Sequence, residues 1–354
     1  MERVFTIMER FAPDAMDCIT NRYKMLKQIM HQQPVGRRQL CKALGFTERM
    51  VRAEIEHLKS IGLIHTTPAG ICLSLAGLQI INEVDLFVPS LFKIQSLAEH
   101  IKNRYNLQEV ILVPGDSHHD EMIKRDLGRV AAAYMKKCLF PGCTLAVTGG
   151  STLAEVADAI TDGTGFPNLM VVPARGGLGG DVEQQAGTIA ARIAKTIGAQ
   201  YRMLHIPDKL QQATAEALKQ DPYIREIADL IKSSDVLFHG IGSAMEMANR
   251  RGLTAEEIKL LQNRGAVGEA FRYYFDEQGN IVYEVPGIGL ELHDLAHIPT
   301  VVAVAGGSNK AAAIKAVLEA GHQTVLITDE GAAQAIVGLQ DSERWYKDDG
   351  KNRN

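Results

Sequence analysis

VAVAGGSNKAAAI, Val302 to Ile314, decides the reading of this chain. An apolar, β-branched run stops at Gly306-Gly307-Ser308 and gives way to an alanine-rich stretch opened by Asn309 and Lys310. An earlier segment, LAVTGGSTLAEV (Leu145 to Val156), repeats the arrangement. Apolar runs this short, without alternation, read as strands buried on both faces, and the stretch after each glycine turn reads as a helix. A strand, a glycine turn and a helix place free backbone N–H groups at a helix N-terminus, where anions bind. Two such turns at equivalent places predict an α/β domain that holds phosphate.

The same alternation runs from residue 108 onward. QEVILVPG, CTLAVTGG, NLMVVPARGG, YRMLHIP, DVLFHGIG, TVVAVAGG and QTVLITD are the expected strands, with helical patterns between them. NIVYEV reads as an excursion near a hairpin. This pattern predicts a doubly wound, mainly parallel sheet covered on both faces, with any ligand at the carboxyl ends of its strands.

Ahead of that body lies a different pattern. Ile19, Tyr23, Leu26, Ile29 and Met30 recur at helical spacing from about Met16 to His31, until Pro34 and Gly36 break the run. A short helix in RRQLCKALG puts Leu40, Ala43 and Leu44 on one face and ends at Gly45. Thr47 then caps a third helix whose expected buried stripe is Val51, Ile55, Leu58 and Ile61. Leu63 to Leu73 reads as two strands around Thr67-Pro68-Ala69-Gly70, and the apolar stretch Leu75 to Ile81 closes the module before a connection begins at Asn82. Two helices on a tight glycine turn, followed by a β-hairpin, is the layout of a winged helix-turn-helix. With Val51 and Ile55 inward, Glu48, Arg49 and Arg52 face outward from the recognition helix, beside its cap Thr47. Arg37, Arg38 and Lys42 can grip the DNA backbone from the preceding helix.

Charge supports the division. Residues 1–80 carry 11 Lys and Arg against 7 Asp and Glu; the rest of the chain carries 27 against 35. A basic head on an acidic body suits a nucleic-acid-binding module. The 354 residues suffice for two domains. No apolar run approaches the roughly 18 residues of a membrane span, and MERVFTIMERFAPDAMD lacks a signal-peptide pattern. Cys18, Cys41, Cys72, Cys138 and Cys143 form no CxxC pair, which predicts reduced thiols in the cytoplasm and no metal. His118-His119-Asp120 reads as a solvated loop.

Candidate ligand residues gather at the expected strand ends. Gly149, Gly150, Ser151 and Thr152 follow one strand, and Gly306 to Lys310 follow another. Neither stretch matches GxxxxGK[ST] or GxGxxG, so a nucleotide is not indicated. Arg175 ends a third strand, where a guanidinium can fork onto phosphate. Glu269, in GAVGEAF, can accept from sugar hydroxyls or be solvated.

VPARGGLGGDVEQQA, LFHGIGSAMEMANRRG, AVAGGSNKAAAI and VLITDEGAA together resemble the SorC family of bacterial sugar-responsive transcription regulators. The resemblance covers nearly the whole chain. It implies an N-terminal DNA-binding domain and a C-terminal sugar-phosphate effector domain, which the chain's own pattern places at 1–88, linker included, and 89–340, ahead of an expected disordered tail over 341–354. It implies fructose-1,6-bisphosphate or a related sugar phosphate as effector, no cofactor, operator DNA of a glycolytic operon as partner, and a homodimer or homotetramer. Carried over by motif, Gly149, Gly150, Ser151 and Thr152 would hold one phosphate. Arg175, Arg250 and Lys310 would add cationic contacts, and Gln185 and Glu269 would bind hydroxyls or order the loop. Ser151 and Gly187 depart from the family pattern, the first while keeping a hydroxyl.

The rival class is an enzyme, because the family's effector domain is similar to sugar-phosphate isomerases and to glucosamine-6-phosphate deaminase. That deaminase family's strand-end motif resembles GIGxDGHIAF, and proton transfer needs its carboxylate and histidine. Here the stretch is Gly240-Ile241-Gly242-Ser243-Ala244-Met245-Glu246, without Asp-Gly-His. His239, at the end of an apolar strand, reads as a packed residue. Phosphate grip without proton transfer predicts a sensor.

Overall fold

In the computed structural model, which describes residues 7–8, 10–85, 94–161, 166–179 and 181–339, the chain divides into units 1–95 and 96–354. The boundary expected near residue 88 and the 341–354 tail lie outside the described residues.

The head is built on three helices. Helix α1 (Pro13–Gln32) gives Met25, Leu26 and Ile29 to the core. Ile19, expected inward, is 39% exposed, because it sits toward the end of α1 that runs past this cluster. Helix α2 (Arg37–Leu44) buries Leu40 and stops at Gly45, whose φ of 67° is the left-handed cap the turn requires; Ala43, also expected inward, is exposed. Helix α3 (Glu48–Ser60) starts at Thr47, whose hydroxyl accepts from Met50 N–H at 3.3 Å. Val51, Ile55 and Leu58 are buried, but Ile61 is 51% exposed. At 100° per residue, Gly62 rather than Ile61 continues that stripe. Strands β1 (Ile64–Thr67) and β2 (Gly70–Leu73) form the antiparallel wing, with Ile64 opposite Leu73. The connection expected from Asn82 is instead the end of helix α4 (Leu75–Asp85). Asp85 accepts from the Tyr23 hydroxyl of α1 at 2.6 Å, which anchors that last turn.

The body opens with α5 (Gln95–Arg104) and winds a seven-stranded sheet. Its strands are β3 (Glu109–Val113), β4 (Thr144–Val147), β5 (Met170–Pro173), β6 (Gln200–Tyr201), β7 (Val236–His239), β12 (Thr300–Val304) and β13 (Val325–Asp329). All pair in parallel, in the order β3-β13-β12-β7-β4-β5-β6. Helices α6 (Glu121–Cys138), α7 (Ser151–Ala159) and α8 (Ala186–Ile197) bury Leu127, Met135, Leu153, Val156, Ile189 and Ile193 against Leu145, Val147, Phe238, Val302 and Val304. Then come α9 (Gln212–Leu218) and α10 (Pro222–Lys232); α10 is capped by the Asp221 carboxylate and packs on β4 and β5.

Two differences from expectation shape the site. Of YRMLHIP only Tyr201 lies in strand β6, because the chain then leaves β5 and pairs with the loop beyond it: Gly177 N–H donates to Ile206 O and Asp208 N–H to Gly177 O. Between β7 and β12 the chain builds a second sheet. Strands β8 (Gly242–Ser243), β9 (Gly268–Ala270), β10 (Tyr273–Phe275) and β11 (Ile281–Glu284) pair antiparallel in the order β11-β10-β9-β8. Helices α11 (Ala244–Arg250) and α12 (Ala255–Asn263) accompany it, around a core of Met247, Leu253, Leu261, Tyr274 and Val285. NIVYEV is thus β11, the outer strand of a hairpin. Helix α13 (Ala311–Glu319) follows β12, and α14 covers 330–339.

Candidate functional site

Strand order reverses between β4 and β7. From β4 the chain steps to β5 and β6 on one side; from β7 it steps to β12 and β13 on the other. Connections then leave in opposite directions and open a crevice at the carboxyl ends of the two strands. Thr148 ties its walls together, its hydroxyl accepting from Gly240 N–H at 3.1 Å. Gly149, Gly150, Ser151, Thr152, Arg175, Gln185, Arg250, Glu269 and Lys310 all line the pocket that fills this crevice, together with Gln184, Glu246 and the backbone of Gly240 to Gly242.

The first glycine turn is open to this pocket. Gly150 has φ 121°, a conformation for glycine alone, and its N–H is taken by Gln184 O at 2.9 Å. Ala154 N–H is the first of the next turn to bond back, to Gly150 O. The N–H groups of Ser151, Thr152 and Leu153 therefore precede the helical ladder and face an anion-sized opening. A Cβ on Gly149 would stand 2.5 Å from Gln184 O, so only glycine lets the 184–186 loop close over the turn.

The cations differ among themselves. Arg250 lies at the exposed mouth, with Nη2 donating to Gln184 Oε1 at 2.9 Å and Nη1 standing 4.0 Å from Glu246. Lys310 has no ion-pair partner among the described residues; burial pushes its ammonium below the ordinary lysine value, Lys124 and Arg250 add to that, and Glu246 opposes it. An incoming phosphate would relieve this shortage of negative charge. Arg175 is 7% exposed and gives Nη1 to Asp208 Oδ2 at 3.0 Å. Arg251, the inward neighbour of Arg250, joins the same carboxylate at 2.7 Å through Nε. It also donates to Glu269 Oε1 at 2.7 Å and to the Tyr274 hydroxyl at 3.2 Å. Burial alone would raise the Asp208 carboxyl, but Arg175 and Arg251 outweigh it and hold it below its ordinary value.

Glu269 is 3% exposed and accepts from Arg251 and from Arg272 N–H, so the solvated alternative does not hold. Gln185 spends its amide on the loop: Oε1 accepts from Leu178 N–H, and Nε2 donates to Gly179 O and Asp181 O. Asp208, Arg251 and Arg272 were not legible as site residues. The one signal was the doubled arginine of MEMANRRG, whose adjacent positions point about 100° apart on a helix.

The second glycine turn departs from expectation. Only Lys310 of GGSNK lines the pocket. Gly307 N–H donates to Asp329 Oδ2 at 2.8 Å and Ser308 N–H to Asp116 Oδ1 at 3.0 Å. The anions at this turn's Gly307 and Ser308 N–H groups belong to the protein itself, and the turn reaches the pocket only through Lys310. His118 and His119 are exposed beside it, and Asp120 caps α6 through Met122 N–H. Among the described residues no three His, Cys, Asp or Glu side chains could hold a metal ion. His239 is wholly buried and stacked on Phe271, ring centroids 4.4 Å apart.

In the head, Arg37, Arg38, Glu48, Arg49 and Arg52 line one groove between α2 and α3, with Cys41, Ala53 and Glu56. All five are exposed, as is Thr47. Their basic side chains thus share the face that a helix-turn-helix presents to DNA.

A DNA-binding head and a sugar-binding body with a cationic strand-end pocket define a sugar-responsive transcription regulator. Residues 18–88 match the CggR N-terminal DNA-binding domain and residues 90–338 the Sugar-bind family, a sugar-binding domain. The chain belongs to the SorC family of transcription regulators. It is 40% identical to the central glycolytic genes regulator of Priestia megaterium over 95% of this chain and 99% of that one. It is 37% identical to the protein of the same name from Bacillus subtilis over the same shares. A SorC family regulator from Enterococcus faecalis, solved by crystallography, superposes with a TM-score of 0.64 at 40% identity, covering 68% of this chain and 99% of that one. These relatives are regulators, and the chain is a regulator rather than an enzyme. No described helix is long and apolar enough to cross a membrane.

Proposed function

We propose that this protein is a cytoplasmic repressor of glycolytic genes whose operator binding is modulated by a sugar phosphate, fructose-1,6-bisphosphate. The observation that carries the reading is the convergence of Ser151, Thr152, Arg175, Arg250 and Lys310 on the crevice between β4 and β7. The N–H groups and hydroxyls of Ser151 and Thr152 take one phosphate at the start of α7. Arg250 and Lys310 supply charge from the opposite wall, and Arg175 donates from below. Gln185 orders the covering loop, and Glu269 keeps Arg251 in place. A ligand with two phosphates meets both groups of donors.

The head reads its operator with α3. Glu48, Arg49 and Arg52 reach base edges or phosphates, while Arg37 and Arg38 grip the backbone and Thr47 fixes the helix start. One such helix reads few bases, so a homodimer or homotetramer engages a palindromic or repeated operator. The effector prefers one conformation or assembly, and that differential affinity shifts the population away from tight operator binding.

A gel-shift titration of an operator fragment with fructose-1,6-bisphosphate tests this. Operator affinity is expected to fall as ligand rises; unchanged affinity across millimolar ligand sinks the effector assignment.

A further inference from the structure

Two acidic side chains outside the pocket govern the one residue of the second glycine turn that enters it. Asp329 ends β13 and is 0% exposed. Its Oδ2 accepts from Gly307 N–H at 2.8 Å and Ser117 N–H at 2.9 Å; its Oδ1 accepts from Ala332 N–H at 2.8 Å. Asp116 follows β3. Its Oδ1 accepts from Ser308 N–H at 3.0 Å and His118 N–H at 2.9 Å; its Oδ2 accepts from the Ser308 hydroxyl at 2.6 Å. Five backbone N–H groups and one hydroxyl are thus gathered by two carboxylates from three neighbouring strand ends.

The glycines around them exist for this contact. A Cβ on Gly306 would stand 2.4 Å from Asp329 Oδ2, and one on Gly331 would stand 2.5 Å from Asp116 Cγ. The turn ends in a single 3-10 turn, Ser308–Lys310, closed by Lys310 N–H on Gly307 O at 2.9 Å. Lys310 therefore stands just beyond a backbone pinned at two consecutive N–H groups, and among the described residues its side chain has no partner of its own.

We infer that Asp116 and Asp329 are positioning residues for ligand binding: they clamp the 306–308 backbone so that the Lys310 ammonium stands where a ligand phosphate arrives. The inference rests on the pocket reading above. A mobile backbone beneath Lys310 would lose conformational freedom on every binding event, and a pre-set one lowers that cost. The clamp acts against the sign of its own charge. Electrostatics alone makes two carboxylates near a cation weaken anion binding, so removing one would tighten it. Positioning predicts the opposite.

The test is a double-mutant cycle on the full-length protein, with fructose-1,6-bisphosphate and inorganic phosphate as probes, read by titration calorimetry. Asp116→Ala is expected to weaken fructose-1,6-bisphosphate binding about tenfold in the native background and less than about twofold in a Lys310→Met background, a coupling within the range of residues linked through a shared backbone shift. Tighter binding on Asp116→Ala, or equal losses in both backgrounds, overturns the inference. If Asp116→Ala loses its cooperative thermal transition, Ser308→Ala takes its place, since it deletes one hydrogen bond of the clamp; the same two backgrounds decide. Failure of the unmutated protein to bind either probe overturns the pocket reading and the clamp together. Native binding with no coupling to Lys310 overturns the clamp alone.

Discussion

Arg251→Met is the perturbation whose size the structure sets most firmly. The Arg251 side chain is 0% exposed, with 2.7 Å contacts to both Asp208 and Glu269. Methionine fills similar volume but takes from two buried carboxylates the guanidinium they share, leaving Arg175 and the more weakly acting Arg272 against Asp208. Removing one partner of a buried ion pair costs about 3–5 kcal/mol, because a charge is stranded rather than because the pair itself was favourable. For a unit of this size, a loss of that order lowers the melting temperature by roughly 6–20 °C. Calorimetry of the full chain reads this as a shift of the larger transition. The control is Arg192→Ala on α8, whose guanidinium pairs with Asp158 and Glu183 at the surface; solvent-exposed pairs contribute about 0–1 kcal/mol. Arg251→Met melting no lower than Arg192→Ala would refute the reasoning. Among folded Arg251→Met molecules, weaker fructose-1,6-bisphosphate binding is expected, because the unshared Asp208 holds Arg175 more strongly.

Gly149→Ala places a methyl 2.5 Å from Gln184 O and 3.0 Å from Ala186 N, both backbone atoms, so the covering loop must shift; fructose-1,6-bisphosphate affinity is expected to fall by about tenfold or more by titration calorimetry. Arg52→Ala is expected to weaken operator binding by about 1–3 kcal/mol if Arg52 reads a base, or to flatten the salt dependence by about one if it meets a phosphate, with sugar-phosphate binding intact; lost sugar-phosphate binding would undermine the division of labour. Burial holds the His239 imidazole down at about 4, from an ordinary 6.5, so an unfolded chain takes the proton first as pH falls. Stability that His239 contributes above pH 6.5 is therefore lost between 6.5 and about 4, and His239→Phe should flatten the melting temperature across that window.

The parallel sheet was legible because each of its long strands is an unbroken apolar run ending in glycine or an acidic residue. The head was legible because Gly45, Thr47 and the stripe Val51-Ile55-Leu58 carry their own geometry. The illegible parts are short or paired at a distance. Strands of two or three residues, such as Gly242–Ser243 and Gly268–Ala270, have no measurable period. Asp208 and Arg251 act only through partners 18 to 43 positions away in the chain. The second glycine turn misleads for a physical reason: glycines admit an anion equally well whether it is a ligand phosphate or a neighbouring carboxylate, and local sequence does not say which. Asp329, nineteen positions after Lys310 and at the end of another apolar strand, is the missing half of that reading.

The chain enters and leaves the antiparallel sheet beside the pocket. Its first strand follows Gly240 and Ile241 directly out of β7. Its return passes Gly289, which bridges to Arg175 while Leu290 N–H donates to Ala174 O at 3.0 Å. A Cβ on Gly289 would stand 2.5 Å from that same carbonyl, so this contact is as tight as a backbone permits. Entry to and return from the antiparallel sheet thus lie side by side, while α13 packs against the body of that sheet. A molecule held between Gly240 to Gly242 and Arg175 would therefore touch both ends of the 242–289 excursion at once, one through the backbone that enters it and the other through the arginine that its return bridges.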